Sequence, residues 1–231
     1  MRKEKCLNNM GKTAIITGCN RGIGKELIKR FAEDGFDIWA CARKESVEFK
    51  EFIAMLSSST KRRITPVYFD LEDEKQVEQG IKNILSEKID IDVLINNAAI
   101  AHGGIMAMTS LEKMKEVYQV NVFSQVKIMQ LVSRKMMRQK SGCIINMCSV
   151  GGIEAEPGYL AYGSSKAALI WITKSISKEL GMYGIRVNGI APGLIDTDMG
   201  NYKNEEEMKK YSVIRKANSL KCLDEEVFKK K

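Results

Sequence analysis

Six short apolar runs alternate with helical stretches along this 231-residue chain, and no other feature limits its fold as strongly. The first run, Thr13-Ala14-Ile15-Ile16-Thr17, is apolar and β-branched, as expected of a strand covered on both faces of a parallel sheet. A glycine-rich turn follows, then a helical pattern over residues 23–33 stopped at Gly35, then a second strand at Ile38-Trp39-Ala40-Cys41. The alternation continues with helices near 45–55 and 74–85 on either side of a strand at Ile64–Tyr68, and with a strand over 93–95. Helices near 111–118, 122–139 and 159–180 then accompany strands at 143–147 and 186–190. This pattern predicts a single α/β domain on a doubly wound, mainly parallel sheet, with ligands at the carboxyl ends of the strands. Pro66 cannot donate a ladder hydrogen bond, which puts the third strand at an edge.

Composition narrows the class of protein. Residues 1–10 read as an N-terminal extension ahead of a domain at 11–231, and Met10 is an alternative start. The extension is basic but lacks the apolar core of a secretion signal. No apolar stretch approaches the roughly 20 residues that span a bilayer, so the expectation is a soluble cytoplasmic protein with no membrane partner. The six cysteines are scattered without a Cys-x-x-Cys pair, and Cys41, Cys143 and Cys148 fall in strand-like runs. They read as reduced core residues, and no metal site is expected. The net charge of +8 is concentrated in part at Lys209-Lys210, Arg215-Lys216 and Lys229-Lys230-Lys231. No module that reads nucleic acid accompanies it. A solvated basic surface is one reading of this charge, and attraction for an acidic carrier or an anionic cofactor is the other.

The turn after the first strand reads Thr17-Gly18-Cys19-Asn20-Arg21-Gly22-Ile23-Gly24. Glycines there let the backbone approach a pyrophosphate, and the helix start offers N–H groups and a favourable dipole. The motif therefore points to dinucleotide binding on a Rossmann-type sheet. An acidic residue after the second strand would take the ribose hydroxyls of NAD, but Ala42 and Arg43 stand there. With Arg21, Arg43 forms a clamp for a 2′-phosphate, which predicts NADP(H). Further along, Tyr162 and Lys166 are four apart in a helical stretch, with Ser149 thirteen positions before the tyrosine. An ammonium on the same helix face as a phenol lowers the cost of ionising it, so Tyr162 is a candidate proton donor.

These residues resemble the short-chain dehydrogenase/reductase family. Thr17–Gly24 is similar to its glycine turn, Asn96-Asn97-Ala98-Ala99 to its Asn-Asn-Ala-Gly segment, and Pro192-Gly193-Leu194-Ile195-Asp196-Thr197 to its nicotinamide-amide loop. Asn121, Ser149, Tyr162 and Lys166 match its catalytic tetrad in order and spacing, and the resemblance covers residues 11–228. It implies NADPH-dependent carbonyl reduction. Tyr162 would protonate the oxygen, Lys166 would lower the tyrosine pKa and bind the nicotinamide ribose, Ser149 would hold the carbonyl, and Asn121 would hold a relay water. It also implies cofactor contacts from Gly18, Asn20, Arg21, Gly22, Ile23, Gly24, Arg43, Asp70, Leu71, Asn97, Ala98, Pro192, Gly193, Ile195 and Thr197. Within the family the β-ketoacyl-acyl-carrier-protein reductases of fatty acid biosynthesis look most similar. That implies a 3-oxoacyl thioester on a carrier protein or coenzyme A, with Lys140 and Lys178 where such reductases meet the acidic carrier. A sugar, polyol or small-ketone substrate is the alternative. A dimer or tetramer built on the helices near 122–139 and 159–180 is also implied.

The chain departs from the family in two places. Ala99 replaces a glycine, which is tolerable if the backbone there stays extended. The family's final helix and strand have no counterpart after residue 227, so the sixth strand is expected at an edge, and a catalytically silent nucleotide-binding scaffold is a third reading. Residues 201–212 resemble the family's substrate lid. His102 reads as an incidental loop histidine, and Glu154 and Glu156 as a polar rim.

Overall fold

The computed structural model describes residues 11–195. Expectations for the N-terminal extension, Thr197, the 201–212 segment, the basic clusters beyond 208 and the chain end lie outside these residues. Six parallel strands form one sheet in the order β3-β2-β1-β4-β5-β6. They are β1 (Thr13–Thr17), β2 (Asp37–Ala42), β3 (Ile64–Tyr68), β4 (Val93–Asn96), β5 (Gly142–Met147) and β6 (Ile185–Ile190). The chain starts at the centre, winds outward to β3, then crosses back to β4, and this reversal opens a crevice at the carboxyl ends of β1 and β4. Pro66 does lie on an edge strand, paired to Ala40 of β2. Among the described residues β6 forms the opposite edge.

The central strands are mostly apolar because helices cover both faces. Along β1, Ala14 and Ile16 join one buried cluster while Ile15 joins the other. The first cluster takes Ile28 and Ala32 from α1 (Gly22–Glu33) and Phe49, Ile53 and Leu56 from α2 (Val47–Thr60). The second takes Ile81 and Ile84 from α3 (Glu74–Ser86), Ile128 and Val132 from α5 (Ser124–Gln139), and Leu169 from α6 (Leu160–Gly181). Each such aliphatic side chain contributes about 1.5–3 kcal/mol by leaving water.

Two helices differ from the sequence pattern, each for a local reason. Helix α2 starts two residues later than expected, with Ser46 capping it through a bond from the Phe49 N–H, and runs on to Thr60. In its serine-rich tail the Ser59 and Thr60 hydroxyls donate back to the Leu56 carbonyl at 3.1 and 2.7 Å, within the helix itself. Helix α4 (Leu111–Tyr118) does not end before the next one begins. It passes through a π-turn, Gln119–Phe123, directly into α5, so Asn121 lies inside a helical run and is not a cap. Cys148, expected within a strand, sits just beyond β5.

Candidate active site

The turn between β1 and α1 is held by the segment after β4. Both the Asn97 and Ala98 N–H groups donate to Thr17 Oγ1 at 3.0 Å, and Asn97 Nδ2 donates to the carbonyls of Thr17 and Gly18 at 2.9 and 3.2 Å. Gly18 has φ 71, and a Cβ there would lie 2.9 Å from Ala98 Cα. A Cβ on Gly24 would overlap the Gly18 carbonyl oxygen, so the helix start can approach the turn only as glycine. Arg21 occupies the N-cap of α1 without a side-chain capping bond, which leaves the helix start suited to an anion. Asn20, exposed like Arg21, and Ile23, half-buried, flank the same turn. Asn97 and Ala98, expected as cofactor contacts, thus place their amides on the turn itself. Ala99 is absent from the non-glycine residues with positive φ, so its extra methyl is accommodated.

Further out, Ala42 is buried at the end of β2 and Arg43 is exposed beside it. No acidic side chain replaces the missing carboxylate at these positions. After β3, Asp70 Oδ1 accepts from the Glu72 N–H at 3.0 Å, so its carboxylate shapes the loop toward α3. Leu71 is buried, and its carbonyl accepts from Ser124 Oγ. Past β6, the Pro192 carbonyl accepts from the Val150 N–H at 3.1 Å, which joins the Pro192-Gly193 loop to the segment after β5. Ile195 is exposed.

The four candidate catalytic residues come from three elements that meet at the carboxyl end of β5. Ser149 follows β5 and caps a single 3-10 turn (Val150–Gly152), its Oγ accepting from the Gly151 N–H at 3.1 Å. Tyr162 and Lys166 occupy successive turns of α6, with Lys166 Nζ 5.8 Å from the tyrosine ring centroid. The Tyr159 ring meets the Tyr162 ring edge-on at 6.1 Å. Lys166 is 2 % exposed, and Nζ donates to the Met147 carbonyl at 2.7 Å. Burial lowers its pKa to about 8, against a smaller upward pull from Cys148. Cys148, in turn, is pushed up to about 11 by burial, so its thiol stays protonated.

Asn121 is fully buried, and its side chain is saturated by protein. Oδ1 accepts from the Ile100 N–H at 2.9 Å, and Nδ2 donates to the Ile100 carbonyl at 2.9 Å and to Ser165 Oγ at 3.0 Å. Ser165 Oγ donates onward to the Tyr162 carbonyl at 2.7 Å. The π-turn and the helix bearing Tyr162 and Lys166 are thus joined through two buried side chains.

Residues 12–208 match the short chain dehydrogenase family. The chain belongs to that family. Among the short-chain dehydrogenases it is 37% identical over 203 residues to the 3-oxoacyl-[acyl-carrier-protein] reductase FabG of Chlamydia trachomatis, a match spanning 85% of this chain and 81% of that protein. A structure assigned as an NAD(P)-dependent gluconate 5-dehydrogenase from Beutenbergia cavernae, with bound NADP, superposes with a TM-score of 0.81 at 25% identity over 90% of this chain and 82% of that one. ElxO with NADP bound gives a TM-score of 0.76 at 29% identity over 88% and 80% of the two chains. The protein is therefore an oxidoreductase of the short-chain dehydrogenase type.

Several polar residues that support this short-chain dehydrogenase site escape a reading of the sequence. Asn96 Nδ2 donates to Asn146 Oδ1, and Asn146 Nδ2 to Thr173 Oγ1, both at 2.9 Å, tying two strands to α6 in the dry interior. Gln125 is 1 % exposed and bonds two carbonyls. Asn146, Thr173 and Gln125 belong to no motif in the sequence, and only the packed strand and helix faces show them turned inward. His102 is half-buried in the loop after β4, with Nε2 buried and unpartnered. Among the described residues no His, Cys, Asp and Glu group could hold a metal ion, and no helix is long and apolar enough to cross a membrane.

Proposed function

We propose that this short-chain dehydrogenase is an NADPH-dependent reductase of a carbonyl carried on a 3-oxoacyl thioester. The observation that carries the substrate class is its 37% identity to a 3-oxoacyl-[acyl-carrier-protein] reductase across 85% of the chain. The rim agrees with an apolar acyl chain. Residues 98–111 contain no Asp, Glu, Lys or Arg, and Ile105, Met106 and Met108 stand exposed there, with Ile153 on the segment after β5.

The residues present fit the cofactor. The close approach of Gly18 and Gly24 and the uncapped start of α1 suit a pyrophosphate, and Arg21 with Arg43 suits a 2′-phosphate. Bound there, NADPH supplies a hydride to the carbonyl carbon. Ser149 holds the carbonyl oxygen, and Tyr162 gives it the phenolic proton, so the ketone leaves as a hydroxyl. Lys166, kept in the dry interior by the Met147 carbonyl, favours the tyrosine's ionised form and takes part in returning the proton, with the relay water held at the backbone of Asn121, whose side chain is already committed to Ile100 and Ser165. The set argues against a silent scaffold, because binding a nucleotide gives no use to Tyr162 and Ser149 beside the buried Lys166.

An acidic acyl carrier is the partner that Lys140 and Lys178 favour, both exposed at the ends of α5 and α6. Self-association through α5 and α6 is read by light scattering. The likeness to a gluconate 5-dehydrogenase supports a second reading, reduction of a small polyol or sugar acid. The test follows NADPH absorbance with acetoacetyl thioester and with a panel of ketones and sugar acids. Thioester turnover that falls about a hundredfold or more in Tyr162→Phe is expected. Turnover of the sugar acids alone would replace the substrate assignment, and turnover that survives Tyr162→Phe would remove the proton donor.

A further inference from the structure

The π-turn at Gln119–Phe123 is unusual for where its hydrogen bonds go. The Ser124 N–H donates to the Gln119 carbonyl, five residues back, and not to Val120 as an α-helix would require. The Val120 carbonyl takes the Gln125 side chain instead, with Nε2 at 3.2 Å. The same Nε2 donates to the Ala98 carbonyl at 2.8 Å. Two carbonyl oxygens can face only the NH2 end of the carboxamide, so its orientation is dictated, and Oε1 is left buried without a partner. Gln125 is 1 % exposed, so water cannot replace these bonds from solvent.

Gln125 lies one helical turn after Asn121, and the two side chains project to the same side. Asn121 reaches both backbone groups of Ile100, and Gln125 reaches the carbonyl of Ala98, two residues earlier. Together they form two rungs between the π-turn and the segment that braces the glycine turn. Ser124 adds a third tie, from the same turn to the Leu71 carbonyl.

We infer that Gln125 is a positioning residue for carbonyl reduction: it holds the π-turn open and locks it to Ala98, which keeps Asn121 in place for proton return. The inference rests on the tetrad reading above. Gln125 touches neither substrate nor cofactor in this role, and it acts through Asn121 and Ala98.

The test compares Gln125→Met and Gln125→Glu with the parent protein, using acetoacetyl thioester and NADPH, and melting is recorded separately. Gln125→Met is expected to lower kcat by about tenfold or more, with a smaller change in KM, and to enlarge the solvent deuterium isotope effect on kcat as proton return becomes limiting. A purely structural role would lower the melting temperature and leave the isotope effect per folded molecule unchanged, and that result overturns the inference. Gln125→Glu keeps length and polarity, and only its protonated form can donate to a carbonyl. Its kcat relative to the parent should therefore rise as pH falls through the carboxyl titration. A flat ratio overturns the inference even if Gln125→Met fails to fold. Tyr162→Phe separates the two levels. If it is inactive while Gln125→Met matches the parent, the Gln125 role alone fails, whereas activity in Tyr162→Phe removes the reading beneath it.

Discussion

Asn121, Ser165 and Lys166 lie at 0–2% exposure, while Ile105, Met106, Met108 and Ile153, on the loops above the same strands, are 54–80% exposed. The buried group is polar, hydrogen-bonded and carried by long helical runs, and the exposed group is apolar and carried by the connections that follow β4 and β5. The difference separates two decisions that one site must make. The interior fixes which chemistry is available, because dry, saturated polar groups hold one geometry at a high cost of rearrangement. The rim selects what that chemistry meets, and flexible methionines there adapt to a chain rather than define a single shape.

Substitution of Lys166 breaks the interior most severely. Lys166→Met should lower kcat by about a hundredfold to ten-thousandfold, as measured by NADPH oxidation. The same change should stabilise the fold at neutral pH. The folded pKa lies near 8 and the unfolded one at 10.5, so the unfolded chain binds more protons between those values and parental stability rises over that window. Below pH 8 the burial penalty is fully present, at about 3 kcal/mol, and losing the Met147 hydrogen bond offsets about 1 kcal/mol of the relief. Urea unfolding should therefore show the variant about 2 kcal/mol more stable at pH 7, with the advantage shrinking as pH approaches 10.5.

At the outer edge of the cofactor site, Arg43→Asp should lower the NADPH-over-NADH preference roughly ten- to hundredfold, read from kcat/KM with each cofactor. Unchanged selectivity would place the 2′-phosphate elsewhere. Thr173→Val removes the acceptor of Asn146 Nδ2 and should cost about 1–3 kcal/mol in denaturant unfolding, because the amide is left buried and unpaired. On the rim, Met108→Gln should alter stability little and raise KM for medium-chain thioesters by only about two- to fivefold. A thousandfold loss in kcat from Met108→Gln would erase the division between interior and rim.

The same division explains what was legible in the sequence. The six strands followed from apolar runs, with the third strand placed at an edge by Pro66, and the glycine turn from close backbone approach at Gly18 and Gly24. Tyr162 and Lys166 stood out because helical spacing alone places them on one face. The π-turn did not, since Gln119-Val120-Asn121-Val122-Phe123 has helical periodicity and a hydrogen bond displaced by one residue leaves no mark in composition. Gln125 carries no motif in the sequence, and only the displaced Val120 carbonyl reveals why it is buried. The bracing of the glycine turn by the Asn97 amide was likewise not legible, since no motif spacing shows which carbonyls the turn leaves open. In each case the missing information is which backbone group lacks a partner, and that appears only once the elements have packed.

The most direct test titrates Lys166 itself in the cofactor-free protein, following the ε-carbon shift of isotopically labelled lysine, with Lys166→Met to assign the signal. A buried amine held by the Met147 carbonyl should titrate near 8, well below the solvated lysines, and the alkaline limb of kcat/KM should fall at the same pH. A Lys166 midpoint at the ordinary lysine value would contradict the claim that the fold prepares a dry, charged end for proton transfer before any ligand arrives.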